Sequence, residues 1–447
     1  MGEIKEDLEK QIDHVAEKFL NEIKEKEIEV ISHFDTDGIS SAAIMTKALK
    51  RLDQKFSVRI IKSLDEQFIR DLPKEKLILF LDLASGSLNH IKNSSLDRVF
   101  IIDHHEIIQS IPESVEIVNT QLHGKEKLSS SSLTYLFCKK IDEKNKDLAK
   151  LAILGMVGDL LEKEIDKLNN HIMEDGEIKR KRGLLIYPST RPLNRTLEYC
   201  SNPFIPGVTG NSEGVIELLR ETNLAAKNGK YKSIIELNKE EMERLITAIM
   251  LRNPRCRNSE IIGDIFLIKL FNKLEDAREI SALINACSRY GEPATALQFL
   301  MEIPSAKKTA ESIHIKYKQQ LISGLDFIEK AEKIQGNGFV IINAKNKVKD
   351  TMIGTIASII SNSPLYEEGT IIITMAYYED KIKVSTRICG RVSNGRNVRE
   401  ILNTVIERLG GEVGGHEVAA GCIISQEKEN DFIKILKENL EIEVVRV

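Results

Sequence analysis

The sequence contains no CxxC pair, no apolar run long enough to cross a membrane and little net charge, and each absence excludes a class of protein. The six cysteines are dispersed, so they form neither the paired ligands of a zinc ribbon nor a disulfide framework. We expect them to be small buried residues in a reducing cytoplasm. The first ten residues, MGEIKEDLEK, lack the apolar core of a signal peptide, and we expect no membrane partner.

A formal net charge of −4 excludes bulk electrostatic attraction to nucleic acid, so any basic surface must be local. The best local candidate is Lys179–Arg182 together with Arg191 and Arg195, which could contact a phosphate backbone. A solvated surface run is an equally good interpretation of these residues. The length of 447 residues exceeds what one core supports, so we expect two or three domains.

Strand-like and helix-like segments alternate in the first part of the chain, which predicts a doubly wound, mostly parallel α/β sheet. Apolar residues at helical spacing predict a first helix over residues 3–26. Ser130–Ser132 are typical capping residues for a later helix. The predicted strands lie at 28–32, 58–62, 77–82, 98–102 and 115–118, and the further predicted helices at 39–52, 65–71, 130–142 and 147–158.

The pattern changes near residue 179, where a basic run and several prolines predict irregular surface chain leaving the first domain. Residues 212–333 predict mainly helix. The α/β pattern then returns, with predicted strands at 339–342, 371–375, 382–385 and 423–425. We therefore predict three parts, namely a doubly wound α/β domain over 1–205, a mainly helical middle region over 206–335 and a smaller C-terminal α/β domain over 336–447.

Acidic and imidazole side chains stand at the ends of three predicted strands, 28–32, 77–82 and 98–102. The carboxyl ends of parallel strands meet at one edge of a sheet, so we expect these side chains to converge. Buried without partners they would be costly, and two divalent cations about 3.5–4 Å apart would neutralise them and could activate water against a phosphate. Such mixed ligands suit manganese, with magnesium, cobalt or zinc as competitors. The candidate ligands are His33, Asp35, Asp37, Asp82, His104 and Asp159.

Each of these strings has a simpler interpretation when it is taken alone. HxDxD can be a solvated turn, and an aspartate after a strand is commonly a turn residue. The recurrence of the pattern in four segments favours a metal site.

A second candidate site lies near the C-terminus. Gly414-Gly415-His416 precedes the small residues Ala419, Ala420 and Gly421, which allow tight helix packing, and the glycines allow a ligand to approach the backbone closely. Arg387 ends a predicted strand, and its guanidinium suits phosphate recognition. For the glycine pair alone, a tight turn is the competing interpretation.

The strings around His33, Asp82, Asp103-His104-His105 and Asp159 resemble, in order and context, the four motifs of the DHH phosphoesterase superfamily. The resemblance implies hydrolysis of phosphoesters or phosphoanhydrides with two divalent metals, usually manganese. It implies that His33 and Asp35 bind one metal and that Asp37 and His104 bind the other. Asp82 would bridge the two.

The same resemblance implies that Asp159 completes a metal shell, that His105 contacts the scissile phosphate and that Asp103 orients an imidazole. The SxR and GGHxxAAG strings resemble those of the C-terminal DHH-associated domain. In RecJ and nano-RNase proteins this domain grips the nucleotide substrate. By analogy, Arg387 and His416, with Gly414 and Gly415 beside them, would hold a nucleic-acid strand.

Four further stretches, 187–193, 202–210, 276–279 and 285–289, resemble archaeal RecJ-like proteins, also called GINS-associated nucleases. The resemblance implies a manganese-dependent single-strand exonuclease acting on DNA or RNA in replication and repair. GINS and the replicative helicase would be its protein partners. No insertion here is long enough for the OB-fold of bacterial RecJ, so strand polarity and the choice between DNA and RNA do not carry over.

Two other functions stay open. The first is a phosphodiesterase for very short RNA or dinucleotides, although the long middle region argues against it because nano-RNases lack one. The second is a non-catalytic scaffold of the replication machinery. Degraded metal motifs would favour the scaffold, whereas every motif residue is intact here.

Overall fold

A computed structural model describes residues 3–24, 26–124, 127–163, 165–200, 203, 205–253, 261–363, 365–390 and 395–445. The chain forms two compact units, residues 1–314 and 315–447. Of the stretches that resemble archaeal RecJ-like proteins, 202–210 lies partly outside the described residues. The predicted division into three parts stays a prediction, and each unit is presented separately below.

The first unit is built on a five-stranded parallel sheet in the order β2-β1-β3-β4-β5. Strands β3 and β4 are buried at every residue, because helices cover both faces of the sheet, and this is why they appear as continuous apolar runs. The five predicted strands are confirmed to within two residues at each end. They are β1 Ile28–His33, β2 Phe56–Ile61, β3 Leu77–Leu81, β4 Val99–Ile102 and β5 Val115–Val118.

Two apolar cores lie on opposite faces of this sheet. Alternate residues such as Leu79 and Phe80 contribute to different cores, as the two-residue period of a strand requires. Helices α1, α2, α5 and α6 pack on one face and α3 and α4 on the other, which confirms the doubly wound fold class. The helices are α1 Glu3–Glu22, α2 Thr36–Arg51, α3 Glu66–Arg70, α4 Leu88–Lys92, α5 Ser130–Ile141, α6 Ala149–Gly158 and α7 Lys167–Asp175.

A three-stranded antiparallel sheet follows, in the order β6-β7-β8, with bounds β6 Lys179–Leu184, β7 Ile262–Leu270 and β8 Lys273–Asp276. The prediction of irregular chain at 179 is therefore wrong. The basic run conceals a strand because the partners of its side chains lie far away in the sequence. Arg180 pairs with Asp264, and Lys181 donates to the backbone carbonyls of Ile235 and Leu237.

The middle of the chain is otherwise helical, as predicted. Its helices are α8 Leu193–Glu198, α9 Ser212–Glu221, α10 Lys239–Arg252, α11 Ala277–Tyr290, α12 Pro293–Leu300 and α13 Pro304–Lys330. Strands β6 and β7 and helices α8–α10 share a separate core that includes Leu197, Leu219 and Leu245. Helices α11 and α12 instead add to the core beneath the parallel sheet.

The second unit carries a six-stranded mixed sheet in the order β13-β14-β12-β11-β10-β9, in which β10 and β11 are parallel and the other pairs antiparallel. The four predicted strands are confirmed. Ala419 and Ala420 lie in strand β14, and Ala420 is buried in a core to which the helix residues Leu402 and Phe432 also contribute. The elements are β9 Lys333–Gly336, β10 Phe339–Asn343, α14 Asp350–Ser361, β11 Ile371–Tyr378, β12 Lys381–Ile388, α15 Val398–Leu409, β13 Glu412–His416, β14 Ala419–Ser425 and α16 Glu429–Val445.

The five cysteines within the described residues are buried and form no disulfide, which confirms that part of the cysteine prediction. Cys256 lies outside the described residues. No helix in the described part of the chain has the length and apolarity needed to cross a membrane.

Candidate metal centre

The candidate ligands gather where the parallel sheet changes direction. The chain leaves β1 towards β2 on one side, whereas it leaves β3 towards β4 on the other, so the carboxyl ends of β1 and β3 flank a crevice. His33 is the last residue of β1, and Asp82 directly follows β3. Asp35 is the N-cap of α2, where its Oδ1 accepts the N–H of Gly38 at 3.0 Å.

The first group of ligand atoms comes from His33, Asp35 and Asp82. His33 Nδ1 lies 3.0 Å from Asp35 Oδ2 and 3.4 Å from Asp82 Oδ2. Neither contact has the geometry of a hydrogen bond, and His33 Nδ1 has no hydrogen-bond partner among the described residues. The three ligand atoms lie within 4.8 Å of one another, which is close enough for them to bind one ion.

The second group comes from Asp37, His104 and Asp159. His104 Nε2 lies 3.4 Å from Asp159 Oδ2 and 3.7 Å from Asp82 Oδ1. Asp82 therefore directs one oxygen towards His33 and the other towards His104. That is the arrangement expected of a carboxylate shared by two neighbouring ions.

Asp82 is buried at a cost that the protein alone does not offset. Both of its carboxylate oxygens lack a hydrogen-bond partner within the described residues. Burial, with the charges of Asp37 and Asp35, raises the pKa of Asp82 well above its usual value. The backbone is strained as well, with φ +60° at Asp82 and +88° at Ala84. Unpaired buried carboxylates held in a strained turn are typical of a metal site.

Asp159 is in a similar state. Burial, followed by the charges of Asp37 and Asp82, raises the pKa of Asp159 to about 10. Its Oδ2 has no hydrogen-bond partner among the described residues. Without a cation, Asp159 would hold a proton at neutral pH, so a cation that replaces that proton fits these oxygens.

His33 and Asp35 shift each other in opposite directions. Burial acts to raise the pKa of Asp35, but the adjacent His33 imidazole outweighs it and lowers that pKa to about 2. Burial likewise acts to lower the pKa of His33, and Asp35 and the other carboxylates nearby raise it overall. The imidazole therefore acts as the local counter-charge where no cation is bound.

Asp103 supports the two histidines that follow it. It is fully buried, and its Oδ1 accepts the backbone N–H of His104 at 2.8 Å and lies 2.7 Å from Nδ1 of His105. Its Oδ2 accepts the N–H of Ser85 at 3.1 Å. His105 is held through Nδ1, and its side chain is 56% exposed, so Nε2 is available to a substrate.

Helix α5 fixes Asp37 in a way that the sequence did not reveal. The backbone N–H groups of Ser130 and Ser131 donate to the two oxygens of Asp37 at 2.6 and 3.0 Å. The N-cap of this helix is Ser129, so the predicted capping by Ser130–Ser132 is wrong in detail. The positive end of the helix thus faces the carboxylate and stabilises its charge.

Gly155 of α6 is required for this approach. A Cβ on this residue would overlap Asp37 Oδ1 and Ser131 Oγ. In the sequence, Gly155 stands only four residues before Asp159 in a GMVGD string. Its proximity to a candidate ligand indicated that Gly155 lies near the site. It did not indicate that the side chain of Asp37 approaches this glycine.

The C-terminal candidates lie in neighbouring strands of the second unit. Arg387 on β12 and His416 on β13 are both paired with Ala419 on β14, from opposite sides. Paired residues project from the same face of a sheet, so the two side chains share a face with a small residue between them, about 10 Å apart. Arg387 Nε donates to Ser358 Oγ at 3.0 Å, which orients the guanidinium.

His416 also borders a pocket of about 660 Å³. The pocket lies beside the start of α15, where Val398 donates its N–H to the carbonyl of Glu417 at 2.8 Å. The GGH residues lie in strand β13 of a hairpin, so the tight turn that the glycine pair alone suggested is not formed at these positions. The lining residues are Asn397, Arg399, Glu400, Asn403, His416, Glu417 and Val418.

Three family models match three successive parts of the chain. They are the DHH family N-terminal domain over residues 27–156, the DHH-CID domain over 186–259 and the DHHA1 domain over 336–441. The chain therefore contains a DHH domain, a DHH-CID domain and a DHHA1 domain in that order. The first model covers β1 to most of α6, which includes all the candidate ligands except Asp159.

Similar proteins agree with this DHH assignment. An uncharacterized protein of Methanocaldococcus jannaschii is 27% identical over 98% of both chains. The structure of exonuclease RecJ bound to manganese superimposes with a TM-score of 0.59, at 16% identity, over 95% of this chain and 93% of that one. CDC45 from Entamoeba histolytica gives a TM-score of 0.66, at 10% identity, over 96% and 99%. The architecture is therefore RecJ-like.

Two of the stretches that resemble RecJ-like proteins meet in this DHH chain. Ser189 donates its backbone N–H to the buried carboxylate of Asp276 at 3.1 Å. Arg191 contacts Glu275 and Glu279 at 3.3 and 3.4 Å. Arg191 therefore has acidic partners within the protein, as Arg180 does, which weakens the interpretation of these residues as a free basic surface.

The same region supports the metal centre. Thr36 stands between Asp35 and Asp37, and its Oγ1 donates to the Ser281 carbonyl on α11 at 3.1 Å. Helix α11 therefore buttresses the start of α2, where the ligands are carried. This contact spans 245 residues of sequence, and no local pattern predicted it.

Proposed function

We propose that this protein is a metal-dependent phosphodiesterase that degrades single-stranded DNA or RNA from an end. The observation that carries the proposal is the position of Asp82, whose two unpartnered oxygens face two separate groups of ligands. Such a pair of adjoining sites is what two-metal hydrolysis of a phosphodiester requires. The sequence resemblance to RecJ-like exonucleases and the RecJ-like fold support the same reaction.

Two divalent cations, with manganese as the favoured ion and magnesium or cobalt as alternatives, would be held by His33, Asp35, Asp37, Asp82, His104 and Asp159. When bound, they supply Lewis-acid activation of water and charge neutralisation at the phosphate.

The protein's own groups position the substrate. His105 is held through Nδ1 by Asp103, and its raised pKa, caused first by that hydrogen bond, favours the protonated ring. A protonated Nε2 can donate to a phosphate oxygen of the scissile bond. In the second unit, Arg387 and His416 would grip the strand further along its backbone.

The substrate form follows from charge. The chain carries a net charge of −4, so attraction to a polyanion depends on a few local cations and should fall as salt rises. A single strand exposes its backbone to such groups more readily than a duplex does. We therefore expect processing of single-stranded ends and little cutting of blunt duplex.

The deciding experiment compares end-labelled linear DNA and RNA strands with their circular forms, in the presence of manganese. We expect degradation of the linear forms alone, and Asp82→Ala should abolish it. Asp97→Ala is a matched control, because Asp97 is exposed and precedes β4, at the opposite end of that strand from the ligands. Equal degradation of circular strands would make the enzyme an endonuclease, and activity in Asp82→Ala would remove the metal assignment.

Two alternatives are separated by the same assay. A nano-RNase-like enzyme would degrade only the shortest RNA oligomers in a length series. A scaffold would degrade none, and the structural likeness to CDC45 is the observation that favours it. Association with GINS and the replicative helicase rests on the sequence resemblance and is tested by co-purification with the recombinant proteins.

A further inference from the structure

Leu160 breaks two local rules beside the metal centre. It directly follows the ligand Asp159 and adopts φ +59°, a left-handed conformation that favours glycine or asparagine. Its side chain is nevertheless 70% exposed to solvent. A leucine held in a strained backbone conformation and exposed to water gains nothing for folding at this position, so a functional role is the better explanation.

The end of α6 explains the turn but not the residue. Asp159 is the C-cap of this helix, and Leu160 donates its N–H to the Val157 carbonyl at 3.2 Å. Glycine would make the same bond without the strain. The side chain of Leu160 is therefore the feature that needs a function.

A second exposed aliphatic residue stands on the neighbouring ligand segment. Ile108 follows His105 by three residues and is 74% exposed. The two segments meet at the metal centre, where His104 Nε2 lies 3.4 Å from Asp159 Oδ2. Each of these two exposed aliphatic residues therefore stands on a segment that supplies a candidate ligand to the cluster.

We propose that Leu160, assisted by Ile108, packs against the base of the terminal nucleotide of the bound single strand. This inference rests on the proposed function. Every base has an apolar face, so such a contact tolerates any sequence. In a blunt duplex the terminal base is held by its pairing partner and by stacking of its inner face, so it would have to unpair to move onto these side chains. The contact would therefore add selectivity for single-stranded ends to the grip on phosphates.

The experiment uses two linear oligonucleotides that differ only in whether the terminal nucleotide carries a base or is abasic. The value of kcat/KM is measured on both for the wild type, Leu160→Gly and Leu160→Ala. Leu160→Gly removes the side chain and relieves the backbone, so folding is not at risk. Leu251→Ala is the matched control, because Leu251 is 77% exposed and lies in α10.

We expect the wild type to prefer the base-bearing end by about tenfold, since covering a base face with an aliphatic side chain removes apolar surface from water. Both Leu160 variants should lose that preference by cleaving the base-bearing strand as slowly as the abasic one. Ile108→Ala should lose part of it, and Leu251→Ala should retain it. An unchanged preference in Leu160→Gly, or an equal loss on both substrates, would overturn the inference.

Failure of the proposed function gives a different result. Hydrolysis of bis(p-nitrophenyl) phosphate by the wild type with manganese tests the chemistry without any base. If the wild type hydrolyses neither this ester nor the oligonucleotides, the proposed function is wrong. Fluorescence anisotropy in the presence of manganese then tests the inference by itself. The inference requires that the wild type binds the base-bearing strand more tightly than the abasic one, and that Leu160→Gly binds both equally.

Discussion

Gly155 leaves the space that the Asp37 carboxylate occupies beside helix α5. We expect Gly155→Ala to displace the Asp37 carboxylate, because the added Cβ would overlap Asp37 Oδ1 and Ser131 Oγ. The affinity for divalent metal should fall by about 10–100-fold, the usual effect of disturbing a ligand's support. Isothermal titration with manganese measures it. Gly86→Ala is the control, since the structure shows nothing described within 4 Å of its added Cβ.

Asp103 should matter for turnover and little for metal content. Its Oδ1 lies 2.7 Å from His105 Nδ1, and that hydrogen bond is the main cause of the raised pKa of His105. Asp103→Asn keeps the shape of the side chain and removes its charge. The pKa of His105 should therefore fall, and the ring should lose its proton at a lower pH than in the wild type. We expect kcat to fall by about 10–100-fold, most at alkaline pH, with metal content unchanged. A parallel loss of metal in elemental analysis would instead make Asp103 a support of the ligand His104.

At the scale of elements, the β13–β14 hairpin offers a matched pair of glycines. Gly415 has φ +118°, and its added Cβ would overlap the Ala419 carbonyl oxygen, whereas the structure shows no described atom within 4 Å of a Cβ on Gly414. We expect Gly415→Ala to destabilise the protein by about 1–3 kcal/mol and Gly414→Ala to have little effect. Urea unfolding measures both. Equal destabilisation would mean that the backbone strain at Gly415 is relieved by local movement.

The elements that carry the metal centre were predictable because two patterns coincide there. Buried parallel strands such as Leu77–Leu81 are continuous apolar runs, and a histidine or aspartate stands at the carboxyl end of β1, β3 and β4. Strand ends determine the edge at which side chains gather. The candidate ligands therefore followed from the sequence, whereas their pairing around Asp82 needed coordinates.

The elements that escaped prediction lack local signals. The turn between β7 and β8 is formed by Phe271 and Asn272, with φ +48° and +59°. Such a turn normally contains Asn-Gly, and a phenylalanine there conceals it. Strand β6 begins with four basic residues whose partners, such as Asp264, are distant in sequence. Strand β13 is short and contains two glycines, a composition that indicates a turn.

At the scale of the whole molecule, the acidic cluster couples metal binding to folding stability. Asp82 and Asp159 have pKa values raised by burial first, to about 10 for Asp159, whereas in an unfolded chain an aspartate ionises near pH 4. Between about pH 4 and about pH 10, the folded, metal-free protein binds more protons at these aspartates than the unfolded chain does. Its stability must therefore fall as pH rises through that range.

The histidines act in the same direction. The pKa of His105 is raised, first by its hydrogen bond to Asp103, and that of His33 is raised by nearby carboxylates against the effect of burial. The stabilisation from a raised histidine pKa is complete below its unfolded value and is lost as pH rises through the folded value. The lowered pKa of Asp35, about 2, contributes stability throughout this range and is lost only in strong acid.

Divalent cations should reverse this trend, because they replace the protons on the carboxylates and bind the folded state alone. In EDTA, the Tm should fall between about pH 6 and about pH 8.5, and saturating manganese should raise the Tm most at the upper end. Asp159→Asn should flatten the pH dependence in EDTA, since it removes the proton that the folded state retains. Scanning calorimetry at matched ionic strength measures all three. If Tm has the same pH slope with and without manganese, the cation does not replace protons on this cluster, and the ligand assignment of Asp82 and Asp159 fails with it.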